Sequence, residues 1–320
     1  MAEVVDDALR LFRLLEEQEE RIQRIFLTAI ENMRDELNIA ELADLLQEGR
    51  AADAIGRLQY IADQLGSASG MAFIAAGQSA AEFLDSAGLG RVVFDQVNIN
   101  AVAAMQRNRL DLVREFTREQ ARATWAALTE GVESGTNPIA QARNFRDSIG
   151  LTKRQWGAVN NHREDLMRAH TDPDAASRAL QRKNRDRRYD RTIRAARRGN
   201  KAIASDKLDR MVDRYTEISF RKRSETIART EALRAVHQGN EEAYRQAIES
   251  EVFKPEQLER TWRTSVDGRE RDTHRKLNGT TAKWGEAWTT ENGSLRYPGD
   301  PLAPPEETIR CRCAILTRIK

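Results

Sequence analysis

Apolar residues recur at intervals of three and four along residues 4–60, the spacing that places side chains on one face of an α-helix. The series includes Leu9, Phe12 and Ile22 and continues beyond a break at Gly49. Polar and charged residues fill the positions between them. The pattern therefore predicts amphipathic helices from the first residues onward.

Small residues dominate residues 66–90, and such residues allow either close packing of two helices or a flexible connection. Val93 and Phe94 follow, and this apolar pair is interpreted as part of a short strand. The helical period resumes at Asn100. The first third of the chain is thus predicted to be almost entirely helical.

Two helix starts in the middle of the chain are marked by capping residues. Pro138 follows Asn137, and proline at the first helical position gives up no N–H that the helix needs. Thr152 with Gln155 matches a capping box, in which each residue bonds the backbone of the other. This pair predicts a helix over Lys153–Arg168.

A long helical pattern covers residues 206–248, with Gly239 as a point of interruption. Beyond Phe253 the chain changes character, since five of the seven prolines and three of the five tryptophans lie there. Trp262–Val266 and Ala314–Thr317 are predicted as short strands. The fold class is therefore a mainly α N-terminal and middle region with long helices, followed by a small α+β C-terminal module.

These patterns divide the chain into three segments. Residues 1–90 form an acidic helical arm, residues 91–204 a helical region with an Arg-rich stretch at 178–201, and residues 205–320 the α+β module. Residues 1–60 carry 14 Asp and Glu against seven Arg, whereas the Arg-rich stretch carries 11 Lys and Arg against two Asp. This separation of charge predicts two different partners, or one end docking on the other in an oligomer.

Composition and motifs argue against several classes of protein. No uncharged run approaches the roughly 18–20 residues that a membrane-spanning helix needs. Two cysteines are too few for a disulfide framework and favour a reducing compartment. The chain has no phosphate-binding glycine loop, nucleophile elbow or paired-histidine zinc motif, so an ATPase or a standard hydrolase has no support.

The Arg-rich stretch is a candidate surface for nucleic acid phosphates. Arginine presents a planar fork of donors that suits phosphate, and binding through such contacts weakens with salt and carries little sequence preference. The alternative is a solvated or partner-paired helix. The candidate nucleic-acid-binding residues are Arg182, Lys183, Arg185, Arg187, Arg188, Arg191, Arg194, Arg197 and Arg198.

The two cysteines, Cys311 and Cys313, are a candidate metal-binding pair. On a strand, their spacing puts both thiols on one face, where His274 as a third ligand would form a soft donor set for zinc. The alternative is a pair of buried thiols with no metal. Candidates for a fourth ligand are water, Asp267, Asp272 and His237.

Asp267, Asp272 and His274 also suit a metal-dependent hydrolase or transferase, in which a general base acts on metal-bound water. The competing interpretation is structural. Asp267 and Gly268 suit a tight turn, and Asp272 suits a helix cap. The residues alone leave both interpretations open.

The C-terminal residues resemble the phage Mu F-like family of minor head, or head morphogenesis, proteins over about residues 205–320. The resemblance rests on the order and spacing of an Arg-Thr-Glu triplet, a Trp, an Asp and an Arg ahead of His274, a Pro-Gly-Asp-Pro turn and the closing Cys-Arg-Cys. The family motif residues are Arg229, Thr230, Glu231, Trp262, Asp267, Arg271, Gly279, Pro298, Gly299, Asp300 and Pro301.

The resemblance implies a structural and assembly role in the head of a tailed bacteriophage, supporting capsid morphogenesis, DNA packaging or ejection, and no enzymatic role. The expected partners are the portal protein, around which the chain would form an oligomer, the major capsid or scaffolding protein, and packaged double-stranded DNA. No membrane partner is expected. The implied location is the virion head, after assembly in the host cytoplasm.

The resemblance implies no required cofactor, and a structural zinc ion is the one cofactor that the residues suggest. The alternatives are a metal-dependent hydrolase or transferase and a non-sequence-specific DNA-binding protein.

Overall fold

The computed structural model describes residues 3–86, 91–133 and 137–319. Long helices fill the N-terminal and middle regions, and strands with short helices form the C-terminal module, so the predicted fold class is confirmed. Among the described helices, none combines the length and the apolar character that crossing a bilayer requires. The helices are α1 (Glu3–Glu36), α2 (Ile39–Gln47), α3 (Ala51–Gly56), α4 (Gln59–Ser86), α5 (Ile99–Glu133), α6 (Pro138–Ser148), α7 (Lys153–Arg168), α8 (Pro173–Gln181), α9 (Asp190–Gly199), α10 (Ser205–Glu249), α11 (Asp272–Leu277) and α12 (Pro305–Thr308). The strands are β1 (Leu258–Arg263), β2 (Thr281–Lys283), β3 (Trp288–Thr290), β4 (Gly293–Leu295) and β5 (Ala314–Ile319).

Capping side chains set the helix starts in the middle of the chain. The Asn137 side-chain oxygen accepts a hydrogen bond from the backbone N–H of Ala140 at the start of α6. Thr152 and Gln155 form the predicted capping box, and α7 has the predicted bounds. These two predictions succeed because each depends on residues three apart in the chain.

Helix α10 continues without a break through Gly239, where the sequence predicted an interruption. A Cβ atom at this position would collide with the backbone oxygen of Phe73 on α4 and contact the Cβ of Ala76. Gly239 therefore lets α4 and α10 approach closely, which is the packing that the small residues of α4 favour. The last four residues of the predicted small-residue stretch, 87–90, lie outside the described residues.

Val93 and Phe94 do not form the predicted strand, because residues 91–95 are irregular. The ring of Phe94 instead packs near Phe73, with ring centroids 6.1 Å apart. A Cβ atom on Gly77 would collide with the Phe94 ring. The segment is therefore held by side-chain packing on α4, without strand pairing.

Strand β1 lies at the centre of an antiparallel sheet with the order β2-β1-β5. Trp262 pairs with Ile315 in this sheet, and β3 and β4 form a separate two-stranded hairpin. Strand β5 includes all of the predicted Ala314–Thr317. Strand β1 begins four residues before the predicted start at Trp262 and ends at Arg263, since Val266 has a left-handed backbone with φ of 52°.

The chain forms two compact units, and neither is a continuous stretch of sequence. Their bounds therefore differ from the predicted segments 1–90, 91–204 and 205–320. Unit 1 comprises Met1–Leu27, Asp63–Val113 and Glu225–Lys320, and unit 2 comprises Thr28–Ala62 and Arg114–Ser224.

The main core cluster of unit 1 joins residues from distant parts of the sequence. Leu11 and Leu15 of α1 pack in the same cluster as Leu233 of α10 and Ile315 of β5. All four are buried, and both cysteines belong to this cluster. The start of α1 is thus part of the core that contains the C-terminal module.

In unit 2, polar side chains bind backbone groups around the end of α6. Gln120 donates to the carbonyl of Ser148, and its oxygen accepts the N–H of Gly150 at 2.8 Å. The Arg34 guanidinium donates to the carbonyls of Asp147 and Ile149, at 3.4 and 2.5 Å. These contacts hold the turn between α6 and α7.

Candidate functional site

Helix α11 and the segment before β5 bring His274, Cys311 and Cys313 together in unit 1. His274 lies on α11 and is 1% exposed, and each cysteine is 2% exposed. The cysteines lie in the irregular segment between α12 and β5 and not on a strand, so strand alternation does not explain their shared face. Both are nevertheless buried while Arg312 between them is half-buried, so the two thiols still share a side.

The donor atoms of these three residues converge on one point. His274 Nδ1 lies 3.4 Å from Cys311 Sγ and 3.4 Å from Cys313 Sγ. The three donor atoms lie within 4.8 Å of one another. One imidazole nitrogen and two sulfurs form a donor set that soft or borderline metal ions prefer.

Glu307 of α12 lies on the other side of the His274 ring. Its Oε2 atom is 2.8 Å from His274 Nε2, and the carboxylate is fully buried. Thr273 donates to Oε2 at 3.0 Å, while Thr290 and Asn292 donate to Oε1 at 2.7 and 2.9 Å. Burial raises the pKa of Glu307, but these hydrogen bonds outweigh it, so the pKa lies below its usual value and the carboxylate is ionised.

Two tryptophans enclose the site. The Trp262 ring meets the His274 ring edge-on, with centroids 5.2 Å apart, and Trp288 lies 5.4 Å from Trp262. All three rings are buried. The position of His274 is therefore fixed by packing on one side and by a carboxylate on the other.

Hydrogen bonding shifts the pKa values of the two thiols in opposite directions. Burial raises the pKa of Cys311, but hydrogen bonds with Cys313 and His274 outweigh it and hold this pKa well below its usual value. The hydrogen bond with Cys311, followed by burial, raises the pKa of Cys313. Cys311 is thus the cysteine that ionises more readily.

The protein residues considered as a fourth ligand lie elsewhere. Asp267 forms an ion pair with Arg312 and accepts the N–H of Arg269, as a tight turn requires. Asp272 is 83% exposed and pairs with Arg275. His237 Nε2 lies 3.3 Å from the backbone oxygen of Cys313. Neither aspartate joins His274 in a hydrolase-like group. Asp267 matches the predicted turn, whereas Asp272 is the first residue of α11 and not its cap, because the N-cap position is Arg271.

The Arg-Thr-Glu triplet of α10 holds other elements in place. Arg229 pairs with Glu19 of α1, and Glu231 lies 3.4 Å from Arg234. The Thr230 hydroxyl oxygen accepts the backbone N–H of Arg310, just before Cys311. The Thr230 contact positions the cysteine segment against α10, and the Arg229 contact ties α10 to α1.

The remaining motif residues stabilise loops. Arg271 donates to the carbonyl of Ile309, and the Asp300 carboxylate accepts the backbone N–H groups of Arg296 and Leu302 as well as the Arg296 guanidinium. Asp300 lies in the Pro298, Gly299, Asp300, Pro301 turn. Gly279 and Gly299 both have φ of 81°, the left-handed region that glycine adopts without strain.

Residues 174–316 match the family described as phage Mu protein F like protein. Over this range the predicted resemblance to the phage Mu F-like family is confirmed. The match begins in α8, well before the predicted start at residue 205, and ends in β5. A phage Mu F-like family indicates a protein of phage head morphogenesis. No curated protein and no solved structure significantly matches the chain.

The Mu F-like range includes the Arg-rich stretch, and the structure separates its basic residues into two groups. Arg182 binds the buried carboxylate of Asp165 at 2.6 Å, and Arg185 binds Asp190 at 2.8 Å. Both arginine side chains are less than one fifth exposed. Arg188 pairs with Asp186, although its own side chain is 75% exposed. The other predicted residues, all of them exposed, are Lys183, Arg187, Arg191, Arg194, Arg197 and Arg198.

The sequence did not indicate that two charged residues close to this site are buried. One is Glu307. The other is Arg260, which is 1% exposed and donates to the carbonyls of Lys283 and Arg296 at 3.1 Å. An isolated charged residue gives no signal of burial, since its partners come from loops distant in the chain. The available signal for Arg260 was its position two residues before Trp262, because residues two apart on a strand share one face.

Proposed function

We propose that this chain is a minor head protein of a tailed bacteriophage that binds the portal and supports capsid morphogenesis and DNA packaging or ejection. The observation that carries the proposal is the phage Mu F-like match over residues 174–316. The proposed role is assembly and not catalysis, since Asp267 and Asp272 pair with Arg312 and Arg275 and do not join the three-donor group of His274 among the described residues. The major capsid or scaffolding protein is a further proposed partner, met in the host cytoplasm during assembly.

A groove in unit 2 supports protein docking. Trp125 of α5 is 49% exposed, and Arg118 and Arg122 precede it by seven and three residues on the same helix face. Lys153 completes the lining of this groove, whose volume is about 940 Å³. Trp and Arg are enriched among the residues that dominate binding energy. The groove suits an acidic portal surface that presents an apolar side chain.

The experiment is co-purification of the full chain with the portal protein of the same phage, with the mass of the complex measured across a salt series. Trp125→Ala should weaken binding about 30-fold, the equivalent of about 2 kcal/mol for a central aromatic anchor. Met167→Ala, which changes a 57% exposed residue of the same unit, is the control and should bind like the unmodified chain. Absence of a stoichiometric complex at every salt concentration would overturn the portal proposal.

Helix α9 supports a second contact, with packaged double-stranded DNA. Ile193 and Ala196 are buried on one side of the helix, whereas Arg191, Arg194 and Arg198 are exposed and recur at intervals of three and four on the other. Arg187 lies one turn earlier and is also exposed. A row of cations on one helix face can follow a phosphate backbone without reading its bases.

Changing Arg191, Arg194 and Arg198 together to Gln tests this contact. Each lost phosphate contact should lower the salt slope of DNA binding by about 0.9, so the triple variant should lose a slope of about 2.7. A matched variant changes three exposed arginines outside the row, Arg13, Arg24 and Arg114, and removes the same charge. Equal loss of DNA binding in both variants would show that net charge, and not helix α9, governs the contact.

A further inference from the structure

We infer that His274, Cys311 and Cys313 bind a zinc ion, with the Glu307 carboxylate orienting the histidine ring from behind. The inference is independent of portal and DNA binding, because it concerns the stability of the C-terminal module. It stands on the donor set, on the separations of the donor atoms and on the surroundings of the ring.

The separations between donor atoms fit a zinc ion. Zinc binds imidazole nitrogen at about 2.05 Å and thiolate sulfur at about 2.3 Å, so a tetrahedral ion separates the two kinds of donor by about 3.6 Å. The observed distances from His274 Nδ1 to Cys311 Sγ and Cys313 Sγ are both 3.4 Å. A small outward adjustment of the thiols would complete the coordination.

Glu307 fixes which ring nitrogen is available. A histidine that binds metal through Nδ1 carries its proton on Nε2, and such histidines nearly always present that N–H to a carboxylate, a carbonyl or water. Glu307 Oε2 lies 2.8 Å from His274 Nε2. Three further donors, from Thr273, Thr290 and Asn292, hold the carboxylate in place. A buried carboxylate is costly unless it is hydrogen-bonded, and these three donors offset that cost beside the ring.

The donor type selects zinc over harder ions. Calcium and magnesium take oxygen ligands, whereas two thiolates and an imidazole suit zinc in a reducing compartment. Among the described residues, no fourth protein ligand joins the three donor atoms. Cys311 lines a cavity of about 180 Å³ together with Ser265 and Arg312. We assign the fourth position to a water molecule admitted from this cavity.

A zinc ion here would tie three short elements together. His274 belongs to α11, Glu307 to α12, and the cysteines to the segment that leads into β5. These elements are too short to be stable alone, and the ion would cross-link them next to the Trp262 core. Thr230 and Arg229 of α10 border the same cysteine segment. The metal would therefore also fix the contacts between this segment and these two motif residues.

The experiment measures metal bound to the full chain. Protein purified with zinc present and then dialysed should contain one zinc per chain, and chelation should lower its unfolding temperature. Cys311→Ser combined with Cys313→Ser should abolish stoichiometric zinc. Glu307→Gln should bind zinc about 10- to 100-fold more weakly, as is usual when the partner of a metal-binding histidine is changed. His162→Gln, which alters a buried histidine of unit 2, should retain one zinc.

A second measurement keeps the test decisive where a cysteine variant fails to fold. Cobalt bound to the unmodified chain should show thiolate-to-metal charge-transfer absorption, and bound zinc should protect both thiols from alkylation until a chelator is added. Fewer than about one zinc in ten chains after loading, zinc retained by the double cysteine variant, or thiols alkylated at the same rate with and without zinc would each refute the site.

Discussion

Arg229 of α10 and Glu19 of α1 form a forked ion pair across 210 positions of sequence, with Nη2–Oε1 at 2.6 Å and Nε–Oε2 at 2.9 Å. Each side chain is 22% exposed. Two parallel charge-assisted hydrogen bonds in a partly buried setting are stronger than a solvated surface pair. The first residue of the Arg-Thr-Glu triplet therefore anchors the N-terminal helix.

Removing either partner of this pair should destabilise unit 1. Arg229→Ala and Glu19→Ala should each lower the free energy of unfolding by about 2 kcal/mol, the value of a hydrogen bond to a charged group. The double variant should lose less than the sum, by about 1 kcal/mol, because the two residues share one interaction. Urea unfolding of the four proteins gives the coupling.

The matched control is an exposed pair on the same helix. Arg221 and Glu217 lie 3.6 Å apart, with side chains 64% and 49% exposed. Arg221→Ala should change the free energy of unfolding by less than about 0.5 kcal/mol. Strictly additive losses in the Arg229 and Glu19 cycle would contradict the ion pair.

Replacing Arg260 with lysine should destabilise the protein, even though the positive charge is kept. Its guanidinium donates to three backbone carbonyls and lies 5.1 Å from the ring centroid of Trp288. Lysine keeps the charge but lacks the planar fork, so buried acceptors lose their donors. Arg260→Lys should cost about 3 kcal/mol of unfolding free energy, as the breaking of a buried pair does.

Arg263→Lys, at the half-buried end of the same strand, serves as the comparison and should cost under about 1 kcal/mol. Thermal unfolding of both variants checks the prediction. If the two substitutions lower the unfolding temperature equally, the buried fork of Arg260 is not what stabilises this region.

Gly239→Ala should destabilise the protein, although alanine favours helices more than glycine does. Alanine in a helix interior gains about 1 kcal/mol over glycine, but at this position its Cβ would collide with the backbone of Phe73. We expect Gly239→Ala to destabilise the protein by about 1–3 kcal/mol, as overpacking does. A Cβ added to Gly157 of α7 would meet no atom within 4 Å, so Gly157→Ala should stabilise by about 0.5–1 kcal/mol. Opposite signs for the two variants in one unfolding assay are the expected outcome, and a shared sign would argue against close packing of α4 and α10.

His162 should make stability depend on pH between about 4 and 6.5. Burial, followed by the nearby charge of Arg182, lowers the pKa of His162 to about 4, although Asp165 opposes the shift and Arg185 adds to it. In the unfolded chain the pKa returns to about 6.5. The unfolded state therefore binds more protons in this window, and stability falls as the pH falls through it.

The loss from this histidine amounts to about 3 kcal/mol, since each unit of pKa difference is about 1.4 kcal/mol. His162→Gln should remove this component, so its free energy of unfolding should fall less between pH 7.5 and 4 than that of the unmodified chain. The two proteins are compared by denaturant unfolding at five pH values. Parallel curves would mean that His162 is not held neutral by the fold.

Local signals were enough to predict the features that depend on neighbouring residues. Thr152 and Gln155 gave the bounds of α7. His274 was proposed beside Cys311 and Cys313 from donor chemistry alone, although 37 and 39 positions separate it from them. Other features that depend on distant residues were not predictable. Arg260 and Glu307 look like surface residues until loops from other parts of the chain supply their partners, and nothing near Glu19 indicates Arg229.

The shared cluster of Leu11, Leu15 and Ile315 has a consequence for synthesis of the chain on the ribosome. About 300 residues separate its first and last members, and translation adds roughly 5–20 residues per second. The apolar face of α1 therefore stays without its final covering strand, β5, for roughly 15–60 s. During that interval a nascent chain exposes Leu11 and Leu15 to chaperones, or to neighbouring chains on the same messenger RNA.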